Sequence, residues 1–172
     1  MSFGAVSPQL MLHAYAQGIF PMAENAEDHD LFWVDPKRRG ILPLDGFHIS
    51  RSLRRFLHGH KITATLNQAF DSVLQHCADR EETWINPTLH ANYTALHEMG
   101  CCHSLEVWDN GALLGGVFGI AIGRVWQEIE GSLSQLPSDQ SEYAVSESDI
   151  AAAATQGSDE LSMRRRARVA GE

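Results

Sequence analysis

The chain has only three cysteines, Cys77, Cys101 and Cys102, an odd number with two of them adjacent, and that makes a poor disulfide framework. Free thiols in a reducing cytoplasm are the simplest reading. No apolar run approaches the roughly 18–20 residues needed to span a bilayer, so no membrane partner is expected. The opening residues Met1-Ser2-Phe3-Gly4-Ala5 lack the basic and apolar regions of a secretory signal. Base is also scarce: a formal net charge of −9 argues against general nucleic-acid binding. No Ser/His/Asp or Cys/His set stands at a spacing that points to nucleophilic catalysis.

What base there is sits together. Between Lys37 and Lys61 fall seven basic residues (Lys37, Arg38, Arg39, Arg51, Arg54, Arg55 and Lys61) against the single acid Asp45. Such a local excess reads either as a restricted anion-facing patch or as a solvated helix face balanced by acids that the fold brings near. Charge alone favours neither.

Local patterns predict an α+β order. Ser7-Pro8 and Gly18 bracket a first helix over 9–17, with Leu10, Met11, Ala14 and Tyr15 on its apolar face. An acidic stretch from Glu24 to Asp30 reads as an exposed loop, and Leu31-Phe32-Trp33-Val34 as a short strand. Ser50 opens a helix that keeps Leu53, Phe56 and Leu57 inward and turns Arg51, Arg54 and Arg55 outward. Lys61–Leu66 alternates as a strand. Asn67 is expected to cap a helix carrying Phe70, Val73, Leu74 and Cys77, and Asn86-Pro87 to start another with Leu89, Asn92, Tyr93 and Leu96 on one face. His103–Trp108 and Ala112–Ile122 read as two strands joined across Asp109-Asn110-Gly111, a strong hairpin signal.

After Gly123 the composition changes. Large apolar residues number 42 of the first 123 and 11 of the last 49, too few there to offset the entropy of ordering. A divergent, disordered tail over 124–172 is expected, with a short helix near Ser148–Thr155, and Ala112–Ile122 would then be left as an unpaired edge.

Other candidates for chemistry are weak. His97, Cys101, Cys102 and His103 are close in sequence, but zinc sites use separated ligand pairs, so buried thiols and partly exposed histidines are the preferred reading. Gly115, Gly116, Gly119 and Gly123 meet neither phosphate-loop nor dinucleotide spacing, and in a strand they mark close backbone approach or a bulge. Trp33, Trp84 and Trp108 could stack a base, although a tryptophan taken singly is more often a core or hairpin aromatic.

Several ordered strings resemble the leucyl/phenylalanyl-tRNA–protein transferase family over about residues 8–123. They are Ala14-Tyr15-Ala16-Gln17-Gly18-Ile19-Phe20-Pro21-Met22, Leu31-Phe32-Trp33-Val34-Asp35-Pro36, Arg39-Gly40-Ile41-Leu42-Pro43-Leu44 and Phe47-His48-Ile49-Ser50-Arg51-Ser52-Leu53. Thr83-Trp84-Ile85-Asn86, Tyr93 with Leu96-His97, His103-Ser104-Leu105-Glu106-Val107-Trp108 and Gly115-Gly116-Val117-Phe118-Gly119 continue in the family's order. The resemblance implies a small N-terminal domain (1–36) and an incomplete acyltransferase-like domain of the GCN5-related type (37–123), followed by the tail. It implies the transfer of Leu, Phe or Met from charged tRNA to the N-terminal Lys or Arg of acceptor proteins, a step of the N-degron route of protein degradation, with no cofactor. Trp84 and Tyr93 correspond to aromatics of the family's adenosine site, with Met22 where a tryptophan is often found. Arg51, Arg54 and Arg55 fit tRNA phosphates. The family's Gly-Glu-Ser-Met-Phe-Ser block and later Asp-x-Gln segment are not matched: the chain reads Arg124-Val125-Trp126-Gln127-Glu128-Ile129-Glu130-Gly131-Ser132 instead. Glu128 or Glu130 could be proposed in place of the missing glutamate, but the flanking residues do not support the alignment, and no catalytic residue is assigned. A non-catalytic module binding tRNA or aminoacyl-adenosine, or an inactive remnant, is the alternative.

Overall fold

The structure, a computed structural model, describes residues 6–40, 50–123 and 125–133. Among these residues the order is α1 (Pro8–Ala16), β1 (Phe20–Met22), β2 (Phe32–Val34), α2 (Arg51–Gly59), β3 (Ile62–Leu66), α3 (Phe70–Ala78), α4 (Pro87–Glu98), β4 (Cys102–Asp109), β5 (Ala112–Ile122) and β6 (Val125–Leu133). This is the expected α+β class. Phe47-His48-Ile49, the Ile41–Leu44 string and the tail from residue 134 lie outside the described residues.

Three helices start as their sequences dictate. The Ser7, Ser50 and Asn86 side chains accept from the amides of Leu10, Leu53 and Leu89 respectively, each satisfying a donor that the first turn leaves unpaired. The fourth differs. Asn67 does not cap α3; it sits at φ 55°, its Oδ1 accepts from the Ser104 amide at 3.0 Å, and its Nδ2 donates to His103 Nδ1 at 2.8 Å. Strand pairing extends one residue past Leu66, and the helix begins only at Phe70. The amide of Ala69, at its cap position, donates instead to Glu106 Oε1 on β4 at 3.3 Å.

Strands β3-β4-β5-β6 form one antiparallel sheet, and β1 pairs with β2 in a separate two-stranded ladder. The β4–β5 turn places Asn110 at φ 49° and Gly111 at φ 85°, as a two-residue turn with right-handed twist requires. The sheet does not end at β5. Val125–Leu133 pairs with it from Ile122↔Val125 to Gly115↔Leu133, so the tail expected from residue 124 is a strand over these nine residues, and β5 is not an edge. Backbone hydrogen bonding to β5 holds β6, and Val125, Trp126, Ile129 and Leu133 give these nine residues an apolar share that the rest of the tail lacks, with Ile129 packed against the core.

One face of the sheet carries α3 and α4. Val73, Leu74, Cys77, Leu89, Tyr93, Leu96, Phe118 and Ile120 form the core there, and Met11, Tyr15 and Ala23 from the N-terminal part join the same cluster. A fully buried apolar side chain of this kind contributes about 1.5–3 kcal/mol. Glycines make the close packing possible. A Cβ on Gly116 would lie 2.6 Å from Val73 Cγ2 and 2.8 Å from the Leu105 carbonyl oxygen.

Candidate functional site

The aromatic residues singled out from sequence divide by burial. Asn86 and Pro87 start α4, whose period places Tyr93 on its inward face, fully buried. Its ring meets Trp84 edge-on at 6.4 Å and Phe118 at 5.1 Å, and its hydroxyl is 2.9 Å from that of Tyr15. Burial holds both phenols well above their ordinary range and therefore neutral. With no exposed face, Tyr93 presents no surface of its own to solvent and meets Trp84 only edge-on. Trp84 is half-buried and packs against the core from its rim. Met22 is half-buried on β1 opposite Phe32 and does not join that core among the described residues. The structure thus brings Trp84 and Tyr93 together and leaves Met22 apart.

A carboxylate closes on Trp84 from β6. The indole Nε1–H donates to Glu130 Oε2 at 2.9 Å, while Arg80 Nη1 lies 3.4 Å from Glu130 Oε1. The same guanidinium donates through Nη2 to the Gly131 carbonyl, and the Gly131 amide donates to Glu130 Oε1 at 3.3 Å. Glu130 is therefore held by an indole, a guanidinium and a backbone amide. Sequence reasoning named it only beside Glu128 and missed Arg80 altogether. No local signal could have found the pair, because 50 residues and a tertiary contact separate them.

The basic cluster is smaller than its sequence count. Lys37 pairs with Asp35 at 2.8 Å, which holds that carboxyl below the usual range, and both are exposed. Arg39 donates to the Gly18 carbonyl and lies over the Phe20 ring, 5.6 Å from its centroid. Of the five others, Arg38 and Lys61 are exposed outside α2, and on α2 itself Arg51, Arg54 and Arg55 are all exposed and share one side at three- and four-residue spacing. Phe56 anchors the helix and stacks on His60 at 4.2 Å; His60 Nδ1 donates to Asp109 Oδ2 at 3.0 Å, tying the end of α2 to the hairpin.

The remaining candidates have structural contacts. His97 stacks on Phe70 at 3.9 Å and donates to the Cys102 carbonyl, and the Cys102 thiol, fully buried, is pushed well above its ordinary pKa by desolvation. No group of metal-ligating side chains forms among the described residues. Trp108 donates to Thr65 Oγ1 at 2.7 Å, and Trp33 packs on the core.

Residues 41–147 match the family described as leucyl/phenylalanyl-tRNA protein transferase, and residues 4–37 match the N-terminal domain of the same family. The first match runs past Gly123 and takes in β6. The chain is 58% identical over 118 residues to a leucyl/phenylalanyl-tRNA–protein transferase of Dinoroseobacter shibae, covering 69% of this chain and 53% of that protein. A protein of the same name from Cereibacter sphaeroides is 54% identical over 122 residues, 71% of this chain and 57% of its own length. That of a Ruegeria species is 57% identical over 118 residues, 69% of this chain and 56% of its own length. The chain spans about half the length of the curated relatives it matches.

Proposed function

The chain belongs to the leucyl/phenylalanyl-tRNA–protein transferase family, and from that premise we propose that it transfers Leu, Phe or Met from charged tRNA to proteins beginning with Lys or Arg, in the cytoplasm. An aminoacyl ester is already activated, and an α-amine of pKa about 8 is partly neutral at cellular pH. The protein must chiefly align amine and ester and steady the developing oxyanion. The observation that carries the reading is Trp84, a half-buried indole fixed at its N–H by Glu130 and backed by Tyr93. Such a rim-placed aromatic surface suits the terminal adenosine of tRNA, and the exposed arginines of α2 suit its phosphates.

A second reading has its own observation. Arg124–Ser132 stands where the family's Gly-Glu-Ser-Met-Phe-Ser block is expected, which favours a module that binds charged tRNA without transfer. One assay separates the two. Leu-tRNA and a peptide beginning with Arg yield a Leu-Arg product under the transferase reading. Binding of Leu-tRNA that weakens in Trp84→Ala, with no product at any enzyme concentration, selects the module. Neither product nor binding rejects both.

A further inference from the structure

From the pairing of β6 we infer that Glu130, set in place by a one-residue bulge and oriented by Arg80, is the positioning residue for the Trp84 indole and so for the stacking surface on it. The inference rests on the aminoacyl-adenosine reading of that surface. From Ile122↔Val125 to Gly119↔Glu128 the ladder is regular; the next pair is Phe118↔Glu130, and Ile129 is the extra residue. Were the regular pairing to continue, Ile129 would face Phe118, and Glu130 would fall opposite Val117 on the other side of the sheet. The bulge restores the parity. Directly opposed residues of an antiparallel pair share a face, so Glu130 stands on the side of Phe118, whose ring meets Tyr93, and there it reaches Trp84.

Three features make this a built contact rather than a passing one. The Glu130 side chain is only 19% exposed, so its charge is costly there without partners. Arg80 supplies one, and the Gly131 amide a second, which leaves Oε2 aimed at the indole. Trp84, by contrast, follows a loop in which the Thr83 hydroxyl accepts the Ile85 amide, and its own N–H has Glu130 as its partner among the described residues. Without that acceptor the indole has no polar restraint on its rotation at the rim of the core. A carboxylate bound to one edge and Tyr93 meeting the ring edge-on together fix the plane that a base would stack on.

The test uses the full chain, an uncleavable 3′-phenylalanylamido-adenosine as probe, and the indole N–H resonance of Trp84, assigned by its loss in Trp84→Phe. In Glu130→Ala the resonance moves and its hydrogen exchange quickens, and the probe binds about tenfold more weakly, the size expected when a charge-assisted hydrogen bond is lost. Glu130→Gln, which keeps a carbonyl acceptor, recovers most of both effects. Arg80→Ala moves the same resonance without touching the ring. Val73→Ala, a core change chosen for a comparable fall in Tm, leaves resonance and affinity near wild type. The inference is overturned if Glu130→Ala leaves the Trp84 resonance unmoved, or if Val73→Ala weakens the probe as much. Should the wild-type chain bind no probe, the aminoacyl-adenosine reading fails, while the resonance still decides whether Glu130 orients Trp84.

Discussion

The hydroxyls of Tyr15 and Tyr93, 78 residues apart in the chain, lie 2.9 Å from each other in the buried core and join α1 to α4. One phenol donates and the other accepts, so the N-terminal helix is tied to the main core by a polar contact as well as by Met11.

Removing either hydroxyl leaves a buried partner unpaired. Tyr15→Phe and Tyr93→Phe should each destabilise the chain by about 1–2 kcal/mol, and the double variant by less than the sum, because the second loss strands nothing further. Urea unfolding of the four proteins checks this; strict additivity would contradict it.

The same pair predicts an alkaline limb of stability. Burial raises both phenols above their ordinary value, so on unfolding above about pH 10 they release protons that the folded state keeps. The unfolded state then binds fewer protons, and stability falls as pH rises. The buried Cys102 thiol, also raised, adds a fall that starts lower, near its ordinary value of 9.0. Below about pH 8 these groups contribute no pH dependence. Chemical denaturation between about pH 8 and 11 should show the decline, and Tyr93→Phe should make it shallower.

Glu106 is fully buried and takes hydrogen bonds from Thr65 Oγ1 and Ser104 Oγ, both at 2.5 Å, and from the Ala69 amide at the start of α3. Glu106→Ala strands three donors and should cost on the order of 3 kcal/mol, while Glu106→Gln keeps an acceptor and costs less. Amide exchange at the first turn of α3 should quicken in Glu106→Ala. Unchanged exchange there would show that the carboxylate does not hold the helix start.

Gly116 and Gly123 separate space from backbone. A Cβ at Gly116 meets Val73 and the Leu105 carbonyl, whereas at Gly123 it meets nothing within 4 Å but must adopt φ +61°. Gly116→Ala should cost about 2–3 kcal/mol through overpacking, and Gly123→Ala about 1 kcal/mol through strain. Thermal unfolding ranks them, and the reverse order would refute the packing argument.

Arg51, Arg54 and Arg55 are exposed, so replacing all three with Ala should leave Tm nearly unchanged. If they neutralise tRNA phosphates, every arginine replaced lowers the slope of log binding constant against log salt by about 0.7–0.9. An unaltered slope would return these side chains to the role of a solvated helix face.

Much of this was legible in the chain itself wherever the deciding contact lies within a few residues. Ser7, Ser50 and Asn86 cap helices by bonds three residues long, Asn110-Gly111 supplies the positive φ values of its turn, and the i, i+3, i+4 spacing names Tyr93, Leu89 and Leu96 as core. The ordered strings up to Gly119 likewise carry the family, which a match of residues 41–147 bears out. Tertiary structure decided the rest. Asn67 had the chemistry of a cap, but Ser104, 37 residues on, took its side chain. Val125–Leu133 gained its order by pairing with the open amides and carbonyls of β5, a partner that the low apolar count of residues 124–172 taken as a whole did not announce. Tyr93, assigned to the site from sequence only through the family's aromatics, proved to be fully buried and to meet Trp84 edge-on. The glutamate that meets that indole was selected by the parity of a bulge. Short-range sterics and hydrogen bonding are written in the sequence; which distant groups meet depends on register and burial, and these exist only once the chain has folded.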